Sequence, residues 1–247
     1  MIEGVLHHCT AMSVDKAYTD SHGQSEVAFA FSLLLGFQLL PRLKGIKREK
    51  LSSPGIGKTS DYSNLQPIME KGAINWRLIA EQYDEMVKCA VAIKTRTADA
   101  EAILRRFTKD NLSHPTYKAF VELGRALKTI FLCRYLRSEA LRREIHEGLN
   151  VVENWNSVNS FIHFGQQSKI LSNNIEDQEL SMLCLHLLQV SLIYINTLML
   201  QEVLSESEWS ERMTPEDWRG LNPLGYAHVT YGQFSCDMEK RIQLKAA

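Results

Sequence analysis

Asp20 stands where its surroundings could make it a ligand for a metal ion or a phosphate group. It closes a predicted strand and is followed by Ser21-His22-Gly23, an abrupt turn into a predicted helix. A carboxylate at the carboxyl end of a strand lies at the edge where open α/β sheets bind their ligands. The alternative is that Asp20 caps the helix that begins near Gln24 or Ser25. The residue types alone do not decide between these two roles.

Glu153 lies in a predicted helix that begins after Ser138. The stripe of this helix that we expect to face the core consists of Leu141, Ile145, Leu149 and Val152. A second, polar stripe consists of Arg142 or Arg143, His146, Asn150, Glu153 and Ser157. Such stripes are usually solvated surfaces, but basic groups, an amide and a carboxylate aligned together also suit contacts to phosphate and metal.

Basic residues are concentrated in one short stretch, which comprises Arg42, Lys44, Lys47, Arg48 and Lys50. Most such runs are solvated faces, although the same composition is used to bind a phosphate backbone. The residues alone leave both interpretations open.

Two other patterns favour ordinary structural interpretations. Residues 52–59 read SSPGIGKT, a phosphate-binding loop pattern whose first glycine is replaced by Ser52. Such a loop needs a buried strand before it and a helix after it, and neither flank fits, so we predict a surface loop. His7 and His8 are adjacent, so on a strand they point to opposite faces and do not favour one shared metal.

Composition excludes several classes of protein. The 247 residues are 45% hydrophobic and 23% charged with a net charge of -1, which rules out a wholesale basic nucleic-acid binder. Five scattered cysteines without a CxxC pair favour a reducing compartment, and no secretory signal is visible. The apolar stretch at residues 182–200 is interrupted by polar residues, so we predict a buried helix and no membrane partner.

The elements that must position these residues form a little β structure followed by many helices. We predict strands at residues 4–8 and 14–19 with a turn at 10–13, a helix at 25–35 ended by Gly36, and a strand at 37–43 with Pro41 at its end. Residues 52–72 are predicted to be irregular. Helices are predicted at 75–95, 97–107, 115–136, from 138 past 153, at 176–204 and from Pro215. The fold class is α/β, predominantly α-helical.

The segment Tyr18-Thr19-Asp20-Ser21-His22-Gly23 resembles Tn3-family transposases, which carry a D-T-H-G or D-T-A-G turn at the second aspartate of a DDE triad. Leu35-Gly36-Phe37 and Pro41-Arg42 resemble the family's LLGF...PR stretch. Leu123-Gly124-Arg125, Leu141-Arg142-Arg143 and Leu149-Asn150 resemble the segment leading to the triad glutamate, which would be Glu153. The match closes with Asn222-Pro223-Leu224-Gly225 and His228-Val229. Departures are Val151-Val152 for a basic residue and glycine, Ser21 for threonine, and Tyr83-Asp84 for W-D.

The resemblance implies a partial RNase H-like core with a large helical insertion between the second and third catalytic carboxylates. Residues 1–50 would form a partial sheet and helix, residues 51–137 a loop and helical insertion, and residues 138–247 the glutamate-bearing helix and C-terminal helices. The whole chain, residues 1–247, would be the C-terminal part of a Tn3-type catalytic domain. The resemblance also implies a bacterial, cytoplasmic, nucleoid-associated protein.

The implied activity is DNA transposition by two-metal phosphoryl transfer on transposon ends and target DNA. Asp20 and Glu153 would be catalytic residues and ligands of Mg²⁺ or Mn²⁺, and two such ions lie about 3.5–4 Å apart in two-metal sites. We therefore expect the two carboxylates to approach within roughly 10 Å. Contacts to nucleic acid are expected from Arg42, Lys44, Lys47, Arg48, Arg142, Arg143 and Asn150.

The family's first catalytic aspartate lies N-terminal to the strand that holds Asp20. Asp15 is a poor substitute, because five residues along a strand place it on the opposite face. We therefore expect a truncated chain that is inactive alone and whose partners include the missing N-terminal part, an intact transposase or a second copy. The alternatives are a non-catalytic fragment that binds DNA or interferes with transposase, and a helical protein-interaction module in which Asp20 is only a cap.

Overall fold

The computed structural model describes residues 2–7, 11, 13–55, 58–105, 113–164, 172–229, 237, 239 and 240. The chain divides into two compact units, a first unit at Met1–Leu149 and a second unit at Asn150–Ala247. Short parallel strands lie only in the first unit among the described residues, and helices make up most of both units. The predicted α/β class with predominant helix is confirmed at this level.

The first unit begins with a helix where we predicted a strand. Helix α1 is Ile2–Leu6, and the buried Ile2 side chain belongs to the main core of the unit. A short apolar run does not distinguish a strand from a buried helix by periodicity, which is why the prediction for residues 4–8 was wrong. His8 and residues 10 and 12 of the predicted turn lie outside the described residues.

A parallel pair of strands flanks one helix. Strand β1 (Lys16–Thr19) pairs with β2 (Gln38–Pro41), with Ala17 opposite Leu39. Between them a 3₁₀ turn at Ser21–Gly23 leads into α2 (Glu26–Leu35). Gly36 ends α2 in the left-handed conformation, with φ of 89°, as its residue type predicts. Pro41 is the last residue of β2, where it removes no ladder hydrogen bond.

A second parallel pair lies where we predicted an irregular connection. Strand β3 (Leu51–Ser53) pairs with β4 (Met69–Ala73), and a 3₁₀ segment at Lys58–Ile68 joins them. Ser52 and Ser53 are buried, and the Ser52 hydroxyl donates to Glu70 Oε2 at 2.9 Å. The predicted surface loop was therefore wrong for these two serines. Among the described residues, β3 is followed by the 3₁₀ segment and not by an α-helix, so its surroundings differ from those of a phosphate-binding loop.

Four helices complete most of the first unit: α3 (Trp76–Glu81), α4 (Tyr83–Lys94), α5 (Ala100–Arg105) and α6 (Pro115–Arg137). Asn75 caps α3 at the residue where the predicted helix begins, but the single helix expected at 75–95 divides at Gln82. At this division the Gln82 side chain accepts a hydrogen bond from the Thr116 hydroxyl of α6. Helix α5 begins at Ala100 and not at 97 as predicted, and the Asp99 side chain accepts from its first turn; residue 107 lies outside the described part of the chain.

The core of the first unit forms where α6 crosses α2. Phe31 stacks on Phe120 with ring centroids 4.3 Å apart, and both side chains are fully buried. At Gly124 the backbones of α6 and α2 are in close contact, so that a Cβ at this position would lie 1.9 Å from the Glu26 carbonyl oxygen. One turn further along α6, Lys128 pairs with Glu26 and Glu49 at 3.2 and 3.0 Å. The predicted helix at 115–136 is thus the central element of this unit.

Helix α7 (Glu139–Ile162) runs from the first unit into the second, and its start after Ser138 was predicted. The second unit continues with α8 (Ile175–Leu204), α9 (Ser207–Arg212) and α10 (Pro215–Gly220). Thr214 and Asp217 form a capping box at the start of α10, which confirms the predicted helix start. Asn196 is buried and donates to the carbonyl oxygens of Pro223 and Gly225, which holds the segment after α10 against α8.

Helix α8 exists as predicted, but its environment does not match the prediction. By length and composition it is the one helix within the described ranges that could cross a membrane. Only 6% of its most apolar window is buried. The prediction of a buried helix at 182–200 was therefore wrong. The polar residues that interrupt the apolar stretch indicated a core helix, but most of its large apolar side chains are exposed.

Candidate functional site

Asp20 and Arg42 meet at the carboxyl edge of the β1–β2 pair. Asp20 follows the last residue of β1, and Arg42 follows the last residue of β2. The Arg42 N–H donates to the Thr19 carbonyl at 2.8 Å, and the Gln24 side chain donates to the Arg42 carbonyl at 2.9 Å. Both residues are exposed. Because the strands are parallel, their carboxyl ends share one edge, and an acidic and a basic residue therefore stand together there.

The capping role that the sequence left open for Asp20 is filled by Ser25. The Ser25 hydroxyl oxygen accepts from the Ala28 N–H at 3.2 Å, and its backbone is extended, as at other helix N-caps. Asp20 contributes its backbone carbonyl to the turn, where it accepts from the Gly23 N–H at 3.1 Å. The Asp20 side chain is therefore not the cap of α2.

Gly23 lets the turn close tightly over the end of β1. A Cβ at this position would lie 2.1 Å from the Thr19 hydroxyl oxygen, well inside van der Waals contact. The glycine is thus required by a close approach, and it fixes the turn immediately after Asp20. The close packing of the turn therefore explains the glycine at position 23, independently of any chemical role of Asp20.

Helix α7 packs on the same strands through its first three turns. Leu141, Ile145 and Leu149 are buried in a cluster with residues of β2 and α2, as the apolar stripe predicts. Val152, the fourth predicted member of that stripe, is 51% exposed, so this part of the prediction was wrong. The first unit ends at Leu149, and the buried stripe ends with it.

Glu144 ties α7 to β1. One of its carboxylate oxygens accepts hydrogen bonds from Lys16 Nζ at 2.5 Å and from the Tyr18 hydroxyl at 2.8 Å. These two bonds, Lys16 first, hold the pKa of Glu144 below its usual value despite partial desolvation. Burial, reinforced by the neighbouring Glu144, raises the pKa of Tyr18 to about 12. Helix α7 and strand β1, which Asp20 follows, are therefore joined by a charge-assisted contact.

Gly148 allows this contact by bringing the helix onto the Tyr18 ring. A Cβ at Gly148 would lie 2.6 Å from the nearest ring carbons. The sequence prediction missed Tyr18, Glu144 and Gly148. Two signals point to them: Lys16 and Tyr18 are two residues apart and so share one strand face, and a glycine in a helix interior indicates a close approach.

Glu153 is exposed on α7, and its backbone carbonyl accepts from the Ser157 hydroxyl at 3.1 Å. Among its predicted neighbours on the polar stripe, His146 is exposed and Asn150 is half-buried. Glu153 belongs to the second unit and Asp20 to the first, so the distance between the two carboxylates stays a prediction.

The predicted nucleic-acid contacts fall into two groups. Arg42, Lys44, Lys47 and Arg48 are all exposed, and the last two belong to a 3₁₀ turn that follows Gly45. The two arginines of α7 have hydrogen-bond or ion-pair partners within the fold. Arg142 donates to the carbonyl oxygens of Tyr135 and Leu136 and so closes the end of α6, while Arg143 pairs with Glu139 at 2.7 Å. The first group is the stronger candidate for phosphate contacts.

Asp20 and Glu153 offer oxygen ligands, the type that Mg²⁺ and Mn²⁺ prefer. Over the part of the chain that the structure describes, no group of three or more His, Cys, Asp or Glu residues could by itself hold a metal ion. Mg²⁺ is commonly bound through one or two carboxylates, with water and substrate phosphates as further ligands. Exposed carboxylates such as those of Asp20 and Glu153 fit that pattern, and they do not fit a closed zinc site.

Comparison with known proteins decides the family. A sequence model of the Tn3 transposase DDE domain matches residues 1–234. The chain belongs to the Tn3 transposase DDE domain family. Its Asp20, Glu153 and basic run all lie within the matched residues. No solved structure matches this Tn3-family chain.

Several transposases are similar to this Tn3-family chain over almost all of its length. The transposase for transposon Tn1546 of Enterococcus faecium is 30% identical over 247 residues, which are 100% of this chain and 25% of the relative. The transposase for transposon Tn501 of Pseudomonas aeruginosa is 28% identical, covering 98% and 24%. The transposase for transposon gamma-delta of Escherichia coli strain K12 is 30% identical, covering 93% and 23%. The chain thus spans about a quarter of the length of these relatives.

Proposed function

We propose that this Tn3-family DDE domain acts in DNA transposition through metal-dependent phosphoryl transfer, with Asp20 and Glu153 as the catalytic carboxylates. The observation that carries the proposal is the position of Asp20. Its side chain is exposed at the carboxyl edge of a parallel strand pair, the capping role belongs to Ser25, and Arg42 stands beside it. The family match and the names of the relatives support the same reaction class.

Asp20 and Glu153 would hold Mg²⁺ or Mn²⁺ through their carboxylate oxygens. When bound, such an ion withdraws charge from phosphate oxygens during an in-line displacement. The carboxylates supply negative charge and two oxygens each, which an amide of the same shape does not. Asp20→Asn and Glu153→Gln therefore remove the ligand charge while keeping the size of the side chain.

The strand pair β1–β2 and the first half of α7 would be parts of an RNase H-like core, with residues 51–137 as its helical insertion. This assignment is supported by the packing of Leu141, Ile145 and Leu149 on the strand pair, and by the charge-assisted contact between Glu144 and β1. The two carboxylates would then come from the end of β1 and from α7. The protein would act on DNA in the bacterial cytoplasm, at the nucleoid.

DNA phosphates would contact the exposed cations after β2, which are Arg42, Lys44, Lys47 and Arg48. Arg42 is placed next to Asp20 by its backbone hydrogen bond to Thr19, so phosphate binding and metal binding would share one edge of the strands. Asn150, Arg142 and Arg143 are the remaining proposed contacts; Asn150 is half-buried, and both arginines have partners within the fold.

The DNA contact is tested by fluorescence anisotropy of a labelled duplex over a range of salt concentrations. A variant with alanine at Arg42, Lys44, Lys47 and Arg48 should bind more weakly to every sequence, since phosphate contacts carry no sequence information. The slope of log K against log salt should fall by about 0.9 for each phosphate contact removed.

A matched control removes the same charge elsewhere. Arg77, Lys88, Arg105 and Arg219 are exposed cations, each paired with a carboxylate of its own helix. Alanine at these four positions should leave the salt slope unchanged. Equal losses in the two quadruple variants would mean that DNA senses only the total charge, and the proposed surface would be wrong.

A further inference from the structure

Helix α7 and strand β1 meet in one contact, which we call the α7–β1 joint and which consists of Lys16, Tyr18, Glu144 and Gly148. A single Glu144 oxygen accepts from Lys16 Nζ and from the Tyr18 hydroxyl. Gly148, one turn later in α7, lies so close to the Tyr18 ring that a Cβ would be 2.6 Å from its nearest carbons. All four residues belong to the first unit. Two successive turns of α7 are therefore fixed on the strand.

Contacts in the α7–β1 joint advance in the same direction along the helix and the strand. Glu144 contacts both Lys16 and Tyr18, whereas Gly148 contacts the second of these strand residues. The three heavy atoms nearest to a Cβ at Gly148 all belong to the Tyr18 ring. Since the later residue of the helix contacts the later residue of the strand, α7 and β1 leave the joint in the same direction.

Each proposed metal ligand lies a short distance beyond the joint on its own element. Asp20 follows Tyr18 by two residues, which is about 7 Å along an extended chain. Glu153 follows Gly148 by five residues, which is about 7.5 Å along the axis of a helix. Helix α7 is uninterrupted from Glu139 to Ile162, so no loop separates Glu153 from the joint. A shift of α7 on β1 is therefore passed on to Glu153.

Glu144 is unsuited to be a metal ligand itself. Its charge is already compensated by the Lys16 ammonium group at 2.5 Å, and a metal ion bound there would face that cation at close range. Nine residues, or two and a half turns, separate Glu144 from Glu153, so their side chains leave α7 on opposite sides. Glu153 instead lies one turn after Leu149, which is buried in a cluster with residues of β2 and α2. Glu144 thus acts on the helix and not on the ion.

We propose that Glu144 is a positioning residue for the metal site: through Lys16 and Tyr18 it sets α7, and with it Glu153, against the strand that leads to Asp20. The proposal rests on the function proposed above, because it takes Asp20 and Glu153 as ligands of one metal ion. Residues that orient metal ligands affect metal affinity although they do not touch the ion.

The experiment is a Mn²⁺ titration of the full 247-residue chain, followed by the free-ion electron paramagnetic resonance signal, with charge-reversal variants of the joint. Glu144→Lys and Lys16→Glu each replace the ion pair by two like charges, and each should weaken Mn²⁺ binding about tenfold. By charge alone, Lys16→Glu would strengthen the binding of a cation, so the two single variants separate positioning from general electrostatics. The double variant restores an ion pair with its charges exchanged, keeps the net charge, and should recover most of the affinity.

The matched control is Glu139→Lys. It makes the same change of charge on the same helix, but Glu139 pairs with Arg143 of α7 and not with β1, so Mn²⁺ affinity should match that of the wild type. Tyr18→Phe breaks the joint more mildly, because it removes one hydrogen bond and keeps the ring beside Gly148. It should also weaken Mn²⁺ binding, and it decides the test if circular dichroism shows that a charge-reversal variant does not fold.

Two results would overturn the role of Glu144. One is a folded Lys16→Glu variant that binds Mn²⁺ at least as tightly as the wild type. The other is a double variant that binds no better than Glu144→Lys, which would make Glu144 itself a ligand. Asp20→Asn and Glu153→Gln in the same titration separate this inference from the proposed function. If both of these lose affinity while the joint variants keep it, only the role of Glu144 is wrong; if neither loses affinity, the metal site itself is wrong.

Discussion

The two units of the chain differ in how completely they cover their own apolar surface. In the first unit, α2 and α6 approach until only a glycine fits between them, and Lys128 lies between two carboxylates with 15% of its side chain exposed. In the second unit, the longest helix of the described chain leaves most of its large apolar side chains in the open. The first unit therefore buries a core of its own, although side chains such as Leu33 and Ile130 stay exposed, whereas the second unit leaves more of its large apolar side chains exposed.

The largest effect that separates the units is expected from two glycine substitutions. Gly124→Ala in the first unit places a Cβ against the Glu26 backbone, which cannot move aside as a flexible side chain would, so α6 and α2 must separate. We expect a loss of about 3 kcal/mol or more in the free energy of unfolding, at the upper end for overpacking. Gly220→Ala in the second unit meets open space and should be neutral or slightly stabilising.

Urea unfolding of both variants checks this prediction, with helix content by circular dichroism as the probe. Similar free energies of unfolding for Gly124→Ala and Gly220→Ala would show that the helices of the first unit are not held as closely as the structure has them.

An intermediate effect is expected where α7 meets β1. Gly148→Ala drives a methyl group into the Tyr18 ring and should cost about 1–3 kcal/mol of stability. Tyr18→Ala in the same chain removes the obstacle, so the double variant should lose less than the sum of the two single losses. The double-mutant cycle is measured by urea unfolding. Additive losses would mean that the two residues do not touch.

The smallest effect is a pH dependence from the same contact. Tyr18 has its pKa raised from 10.0 to about 12 in the folded chain, so its contribution to stability is complete below pH 10 and is lost as the pH rises towards 12. Glu144 has its pKa lowered, so its contribution is present at neutral pH and is lost in acid, as the pH falls through the folded value. The stability difference between wild type and Tyr18→Phe should be constant from pH 7 to 10 and shrink above it. A difference that stays constant up to pH 12 would contradict the contact.

Local signals in the sequence predicted the parts of the fold that depend on local chemistry. Ser25 and Gly36 bound α2, Pro115 starts α6, and Thr214-Pro215 starts α10, because caps and first-turn prolines satisfy backbone groups whatever the tertiary context. Asp20 was likewise placed at the end of a strand, before the turn that Gly23 closes.

The elements that depend on distant partners were the ones missed. Strand β3 is held by Thr129 and Glu70, which no local pattern reveals. Val152 continues the apolar spacing of α7 but is exposed, because the buried stripe of that helix ends at Leu149. Helix α8 has an apolar sequence, yet few of its side chains are buried by other residues of the chain. Tyr18, Glu144 and Gly148 form a contact across 126 to 130 positions of sequence, so only the folded chain brings them together.

The measurement that tests the proposed site most directly is a Mn²⁺ titration of the chain, followed by the loss of the free-ion electron paramagnetic resonance signal. The titration compares variants in both units, since Asp20 lies in the first and Glu153 in the second. Asp20→Asn and Glu153→Gln should each weaken Mn²⁺ binding by at least about tenfold, because each removes a charged ligand. The matched controls Asp15→Asn and Glu147→Gln alter exposed carboxylates nearby and should bind as the wild type does. Equal affinity in all five proteins, or loss with only one of the two site variants, would contradict a metal shared by Asp20 and Glu153.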